Sequence, residues 1–259
     1  MVIIRGALFF LFLFASVGAA AQVSPSRRPV PYPVFTSPAF QNAIKKGTRT
    51  ATGEPGKSYW MNKASYRIQA VLSPETAVLS GEEVIRYQNN SPDTLWHLSL
   101  YLLQNLHHEG VERNRPVEVT GGMTLSKVMV EKKPMTECRQ PHRGAYEIDG
   151  TLLSLYLEEP LLPGKKIELG FSWSFKIPKD GGPRMGQDGE VFFLGYWYPE
   201  MAVYDDVSGW ADHAYMGAGE FYMDYADYEV EVTVPQGWLV AATGVLQNPD
   251  EVLSRQTRS

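Results

Sequence analysis

The residues best placed to do chemistry lie between positions 195 and 223, which read Gly-Tyr-Trp-Tyr-Pro-Glu-Met-Ala-Val-Tyr-Asp-Asp-Val-Ser-Gly-Trp-Ala-Asp-His-Ala-Tyr-Met-Gly-Ala-Gly-Glu-Phe-Tyr-Met. Aromatic rings, carboxylates and glycines at this density do not suit a solvated loop. Trp and Tyr combine a large apolar area with a polar group that needs a partner when buried. The segment therefore reads as a structured wall with hydrogen-bonding demands. Asp206 and Glu220 are the carboxylate pair that glycoside hydrolysis would use. Asp205 and Asp206 are adjacent, and on an extended segment they face opposite ways, so they are not a natural pair. The simpler reading bonds these carboxylates to neighbouring backbone and Tyr hydroxyls. A different reading makes Tyr196, Trp197, Tyr198 and Trp210 flat platforms for a carbohydrate, in a free-standing secreted β module.

Other motifs fall short of chemistry. His108-Glu109-Gly110-Val111-Glu112 is a near miss to a zinc helix, which needs His at both ends of the five residues and the Glu as base. Here the fifth position is Glu112, and Gly110 works against a helix. His97, His107, His142 and His213 show no ligand spacing, so no metal site is expected in this chain. The Gly-rich run from Gly181 to Gly189 lacks the Gly-Lys-Ser/Thr of a phosphate loop and reads as a mobile connection between strands. No Gly-x-Ser-x-Gly elbow is present. The single cysteine, Cys138, excludes an internal disulfide and a cysteine metal site. Asn89-Asn90-Ser91 matches a glycosylation sequon but reads as a turn.

The elements that must position the aromatic segment follow from periodicity. Ile167, Leu169, Phe171, Trp173, Phe175 and Ile177 alternate with polar residues and Gly170, which marks a half-buried strand. Tyr66 to Leu72, Val78 to Tyr87, Trp96 to Leu102 and Tyr228 to Val234 repeat the pattern. Gly and Pro clusters at 89–92, 163–164, 181–183 and 235–237 punctuate the runs. The expected fold is mainly β: an antiparallel, saddle-like sandwich or twisted sheet.

Residues 1–21 have the form of a secretory signal peptide, with Arg5, an apolar run over 6–17 and small residues at 18–21. The run is shorter than the ~20 residues of a membrane span. The mature chain is thus expected to be secreted or periplasmic, with no stable span. Residues 22–58 are rich in Pro, Gly, Ser and Thr and read as an extended, partly disordered arm, compatible with a short helix around 39–46. Residues 59–259 form the β domain. With 259 residues, 44% of them hydrophobic, the chain can bury a sizeable core. A net charge of −5 with dispersed Lys and Arg gives no basic stripe for nucleic acid.

Taken together, several segments resemble the N-terminal domain of the aminopeptidase N family of zinc metallopeptidases, in a secreted bacterial branch. They are Tyr59-Trp60 with Tyr66-Arg67-Ile68, Leu79 to Glu83, Tyr87 to Asp93, Leu100 to Asn105, Trp197-Tyr198-Pro199 through Gly209-Trp210, Gly217 to Tyr222, and Val232 through Asn248-Pro249. The resemblance covers residues 59–253. It implies a non-catalytic saddle-like domain that packs on a thermolysin-like domain and helps wall the cleft for a peptide amino terminus. Tyr196, Glu200, Tyr204, Asp206 and Glu220 are the cleft candidates. The family's His-Glu-x-x-His helix and Gly-x-Met-Glu-Asn strand are absent from this sequence. Zinc would belong to the parent enzyme, no cofactor to this chain, and the partner would be the missing catalytic domain, in cis or in trans. The chain alone is expected to be an inactive fragment. Where the family places an amide or acid before Trp-Tyr-Pro to hold the substrate amine, this sequence has Gly195-Tyr196.

Overall fold

The structure is a computed structural model, and it describes residues 35–179, 184–219 and 222–258. The readings on residues 1–34, the signal peptide among them, lie outside the described residues. Contacts divide the chain into units 1–36 and 37–259, and every helix and strand among the described residues belongs to the second.

A short helix, α1 (Pro38–Lys46), leads into the strands. Ser37 caps it by accepting the Phe40 N–H at 3.2 Å, Pro38 opens it, and Gly47 closes it in the left-handed region. In chain order the strands are β1 (Lys63–Ser73), β2 (Val78–Gln88), β3 (Leu95–Tyr101), β4 (Met123–Val130), β5 (Lys133–Pro134), β6 (Thr136–Glu137), β7 (Ala145–Asp149) and β8 (Leu152–Leu161). There follow β9 (Lys166–Lys176), β10 (Met185–Asp188), β11 (Val191–Leu194), β12 (Glu200–Met201), β13 (Tyr204–Asp205), β14 (Gly209–Trp210) and β15 (Ala226–Thr233).

One sheet has the order β15-β1-β2-β9-β4-β5 and the other β12-β3-β8-β7-β6. Their apolar faces meet in one core, where Ile68, Ile85, Leu169 and Phe171 of the first sheet pack with Leu98, Leu100, Leu153 and Leu155 of the second. This is the expected mainly β sandwich. Two hairpins, β10–β11 and β13–β14, stand beside it. The β9 alternation is realised in full, because every second side chain from Ile167 to Ile177 is buried.

Four details differ from the sequence reading. First, β15 runs parallel to β1, in register from Ala64 opposite Ala226 to Val71 opposite Thr233, and β6 is parallel to β7. Side-chain period reports a strand but not its direction. Second, Trp96 does not join the inward row of Leu98 and Leu100. The β3–β8 register shifts between Leu95 and His97, and a one-residue slip turns a side chain to the opposite face. Trp96 is exposed, with the Arg143 guanidinium 4.3 Å from its ring centre. Third, residues 185–194, assigned in part to a mobile Gly-rich connection, form the β10–β11 hairpin. Fourth, the part of the Pro- and Gly-rich arm within 37–58 carries α1, close to the short helix that reading allowed, and a loop bonded to Asp206 through Arg49, a partner 157 residues away that cannot be read from composition.

Asn89 of the sequon is fully buried, and its side-chain amide donates to the Asp93 and Leu161 carbonyls at 2.7 and 3.1 Å. It is a turn anchor. No helix among the described residues is long and apolar enough to cross a membrane.

Candidate functional site

The segment from Tyr196 to Trp210 adds β12 to the edge of the second sheet beside β3, and its rings at Trp197, Tyr198, Tyr204 and Trp210 pack against the core. Trp197 meets Trp173 edge-on at 5.9 Å and Tyr198 at 5.0 Å. Trp210 sits against Tyr204 at 5.1 Å, His97 at 6.1 Å and Tyr87 at 6.2 Å. Both indoles are part-buried against the core. A sugar platform needs rings that are open and share a plane, and this packing supplies neither.

Tyr196 occupies the left-handed region at φ 59°, unusual for a residue with a side chain. Its conformation is held from three sides. Its carbonyl accepts the side-chain amide of buried Gln104 at 2.7 Å. Its ring lies edge-on to Tyr215 at 5.8 Å. Its hydroxyl accepts from Arg184, whose guanidinium also lies 5.4 Å from the ring centre. Gln104 was not singled out from the sequence, and only the Leu-Gln-Asn run after β3 hinted at it.

Asp206 is an anchor. Its side chain is 2% exposed and holds Arg49 in a fork, with the Arg49 Nε at 3.0–3.1 Å and Nη2 at 2.7 Å. Burial pushes the Asp206 carboxyl up, but hydrogen bonds from Arg49 and Thr48 outweigh it and hold the pKa below 3.8. An aspartate locked in this way is a poor acid or base for glycoside hydrolysis. Asp205 points elsewhere. Its Oδ1 caps the turn by accepting the Val207 and Ser208 N–H groups at 2.8 and 2.6 Å, and its Oδ2 accepts the Tyr222 hydroxyl. These are the backbone and tyrosine bonds of the simpler reading. Glu220 lies outside the described residues.

Tyr204 stacks on Trp60 at 5.7 Å and donates its hydroxyl to Asp93 Oδ2 at 3.0 Å. Burial first, and then Asp93, push its pKa up to about 12. Glu200 lies on β12, opposite Tyr101 of β3. Burial raises its carboxyl from 4.5 to about 7. Glu200 is brought towards a residue the sequence reading passed over, Glu83 of β2. Glu83 is 2% exposed on the core side of its strand, and neither carboxylate oxygen has a hydrogen-bond partner. Burial first, then the nearby Glu200, raises the Glu83 carboxyl well above its ordinary value. The structure thus separates the four candidates among the described residues: Glu200 lies near Glu83, Tyr204 and Asp206 belong to a second cluster around residues 48–60, and Tyr196 stands by the β10–β11 hairpin.

The described residues do not fit zinc. No group of three or more His, Cys, Asp or Glu among them is placed to hold a metal ion. The His107 Nδ1 is bonded to the Glu118 carbonyl at 2.8 Å and the His108 Nδ1 to the Glu109 carbonyl at 2.7 Å.

No protein-family profile matches the sequence, and no curated protein matches it. Among solved structures, the chain is similar to an M1 zinc metallopeptidase from Deinococcus radiodurans, with a TM-score of 0.42 and 18% identity over 74% of this chain and 36% of that one. A mutant form of the same enzyme gives 0.41 and 16%, over 70% and 34%. A two-domain M1 zinc metallopeptidase mutant bound to L-arginine gives 0.41 and 17%, over 74% and 37%. The chain spans about a third of the length of these structures.

Proposed function

We propose that this chain is the N-terminal, non-catalytic β domain of a secreted zinc aminopeptidase. In this reading it packs on a thermolysin-like domain and lends Tyr196, Glu200 and Tyr204 to the wall of the cleft for a peptide amino terminus. Asp206 supports that wall by fixing the loop that carries Arg49. The ordered run of motifs from Tyr59 to Pro249 and the leader-like residues 1–21 support the reading.

The observation that carries it is the bare flank of β15. Tyr228, Val230 and Val232 prolong the inner apolar face of β1, in register with Tyr66, Ile68 and Ala70. Their β1 neighbours are buried, yet Tyr228 and Val230 are each 46% exposed. Leu239, Val240, Val245 and Leu246 are exposed just beyond. A contiguous apolar surface of this kind marks a contact site or an aggregation liability. A covering domain would remove both the exposure and the unpaired edge.

The purified chain should release no chromophore from chromogenic amino-acid amides, with or without added zinc, because zinc hydrolysis needs three protein ligands and an open water position. It should bind an apolar dye such as ANS, and Val230→Glu should cut that binding while leaving the circular dichroism unchanged. Zinc-dependent turnover by the purified chain, or dye binding insensitive to Val230→Glu, would overturn the proposal.

A further inference from the structure

The free edge of β15 differs from the other edges of the two packed sheets. Among the described residues those edges are β5, β6 and β12, each two residues long, and β5 consists of a lysine and a proline. Short strands, lysine and proline are how sheets blunt an edge against a further strand. β15 uses none of them. It runs for eight residues without lysine, proline or a bulge, in unbroken register with β1. It therefore offers a row of backbone N–H and C=O groups to an added strand.

The two faces of β15 differ in kind. Tyr228, Val230 and Val232 continue the buried row of β1, and Tyr228 is fixed there by stacking on Tyr66 at 4.7 Å. Asp227, Glu229 and Glu231 stand on the opposite face and are exposed. The β1 residues beside them supply one cation. Arg67 holds Glu229 at 3.0–3.2 Å, Gln69 donates to Glu231 at 3.0 Å, and Asp227 lies opposite Ser65. Three carboxylates against one guanidinium leave the outer face of this edge negative.

That charge selects what can pair. Two copies related by a two-fold axis would join β15 to β15 antiparallel. With both apolar faces on one side, a register centred on Glu229 sets Asp227 opposite Glu231. A register centred on Val230 sets Glu229 opposite Glu231. Like charges directly opposite destabilise a strand pair, and opposite charges stabilise it. A second copy is therefore a poor occupant. A strand with Lys or Arg opposite the acids gains at each of these positions. Apolar residues between them cover Tyr228, Val230 and Val232. In such strand addition the main chain gives affinity and the alternate side chains give specificity.

We propose that β15 accepts an added strand from a partner polypeptide in which Lys or Arg alternates with apolar residues. The proposal rests on the docking reading of β15 above and narrows it to the chemistry of the contacting element. Fluorescein-labelled peptides of the length of β15 are titrated with the purified chain at about 0.15 M salt, and anisotropy reads binding. One peptide alternates Lys and Val, one alternates Glu and Val, and one has the Lys and Val residues in two blocks. The expected result is saturable binding of the alternating Lys peptide, about tenfold or more tighter than either control. It should also slow hydrogen exchange in residues 226–233. The double variant Asp227→Lys, Glu231→Lys should reverse the preference towards the Glu peptide. Circular dichroism checks its fold, and the peptide comparison on the parent chain holds without it. Equal binding of the three peptides, unslowed exchange in 226–233, or an unreversed preference in the folded variant overturns the proposal. So does exchange that slows with protein concentration alone, which would assign the edge to a second copy. Loss of this peptide selectivity with Val230-dependent dye binding intact would sink this proposal alone, and zinc-dependent turnover would sink only the earlier one.

Discussion

Replacing Glu200 by glutamine should stabilise the protein in a pH-dependent way. Burial raises the Glu200 carboxyl from 4.5 to about 7 in the folded chain. Between those values the folded state keeps a proton that the unfolded state has released. Stability is therefore intact near pH 4.5, erodes as pH rises, and has lost the full amount above about pH 7. Each tenfold change in proton affinity is worth ~1.4 kcal/mol, so the loss is about 3 kcal/mol, a ceiling because the carboxyl is part-exposed. Glu83 and Asp224 are raised by burial as well, so the parent chain alone would blend several titrations. The difference between parent and Glu200→Gln isolates the one group, together with its repulsion of Glu83. Urea unfolding followed by tryptophan fluorescence, at intervals from about pH 5 to pH 8.5, gives that difference. It should grow from near zero to about 2–3 kcal/mol in favour of the variant. Parallel curves, or a difference that shrinks with rising pH, would show that Glu200 is solvated or already paired.

Three further outcomes are expected. Arg49→Ala leaves the buried Asp206 carboxylate without its fork, and breaking such a pair costs about 3 kcal/mol; urea unfolding should show the loss, and limited proteolysis should cut faster within residues 47–58. Gly81→Ala places a Cβ 2.5 Å from the Trp173 ring, which should lower stability by about 1–3 kcal/mol; an unchanged melting temperature would mean that the indole is free to move. Trp96→Phe should remove the largest single share of iodide-quenchable tryptophan emission, because Trp96 is the most exposed indole among the described residues; loss of quenching in Trp197→Phe instead would contradict the packing of the aromatic segment.

The sequence by itself determined the strands and their buried faces. Period-two alternation is a local property, and the core rows of β1, β2 and β9 follow it residue by residue. It also determined that the aromatic segment had to be packed, because rings at that density cannot stay solvated. Only the tertiary structure decided which residues meet. Glu83 sits in an apolar alternation and reads from sequence as an isolated polar interruption, and nothing local reveals that Glu200 approaches it from the other sheet. Asp206 resembles a catalytic carboxylate until Arg49 closes on it from far along the chain. Trp96 follows the inward rhythm of its strand, but a register shift against β8 turns it outward. The parallel course of β15 depends on where the chain returns, a matter of topology that hydrophobic period does not encode. In each case the deciding contact joins residues distant in sequence, and the burial or charge it confers exists only once the sheets have packed.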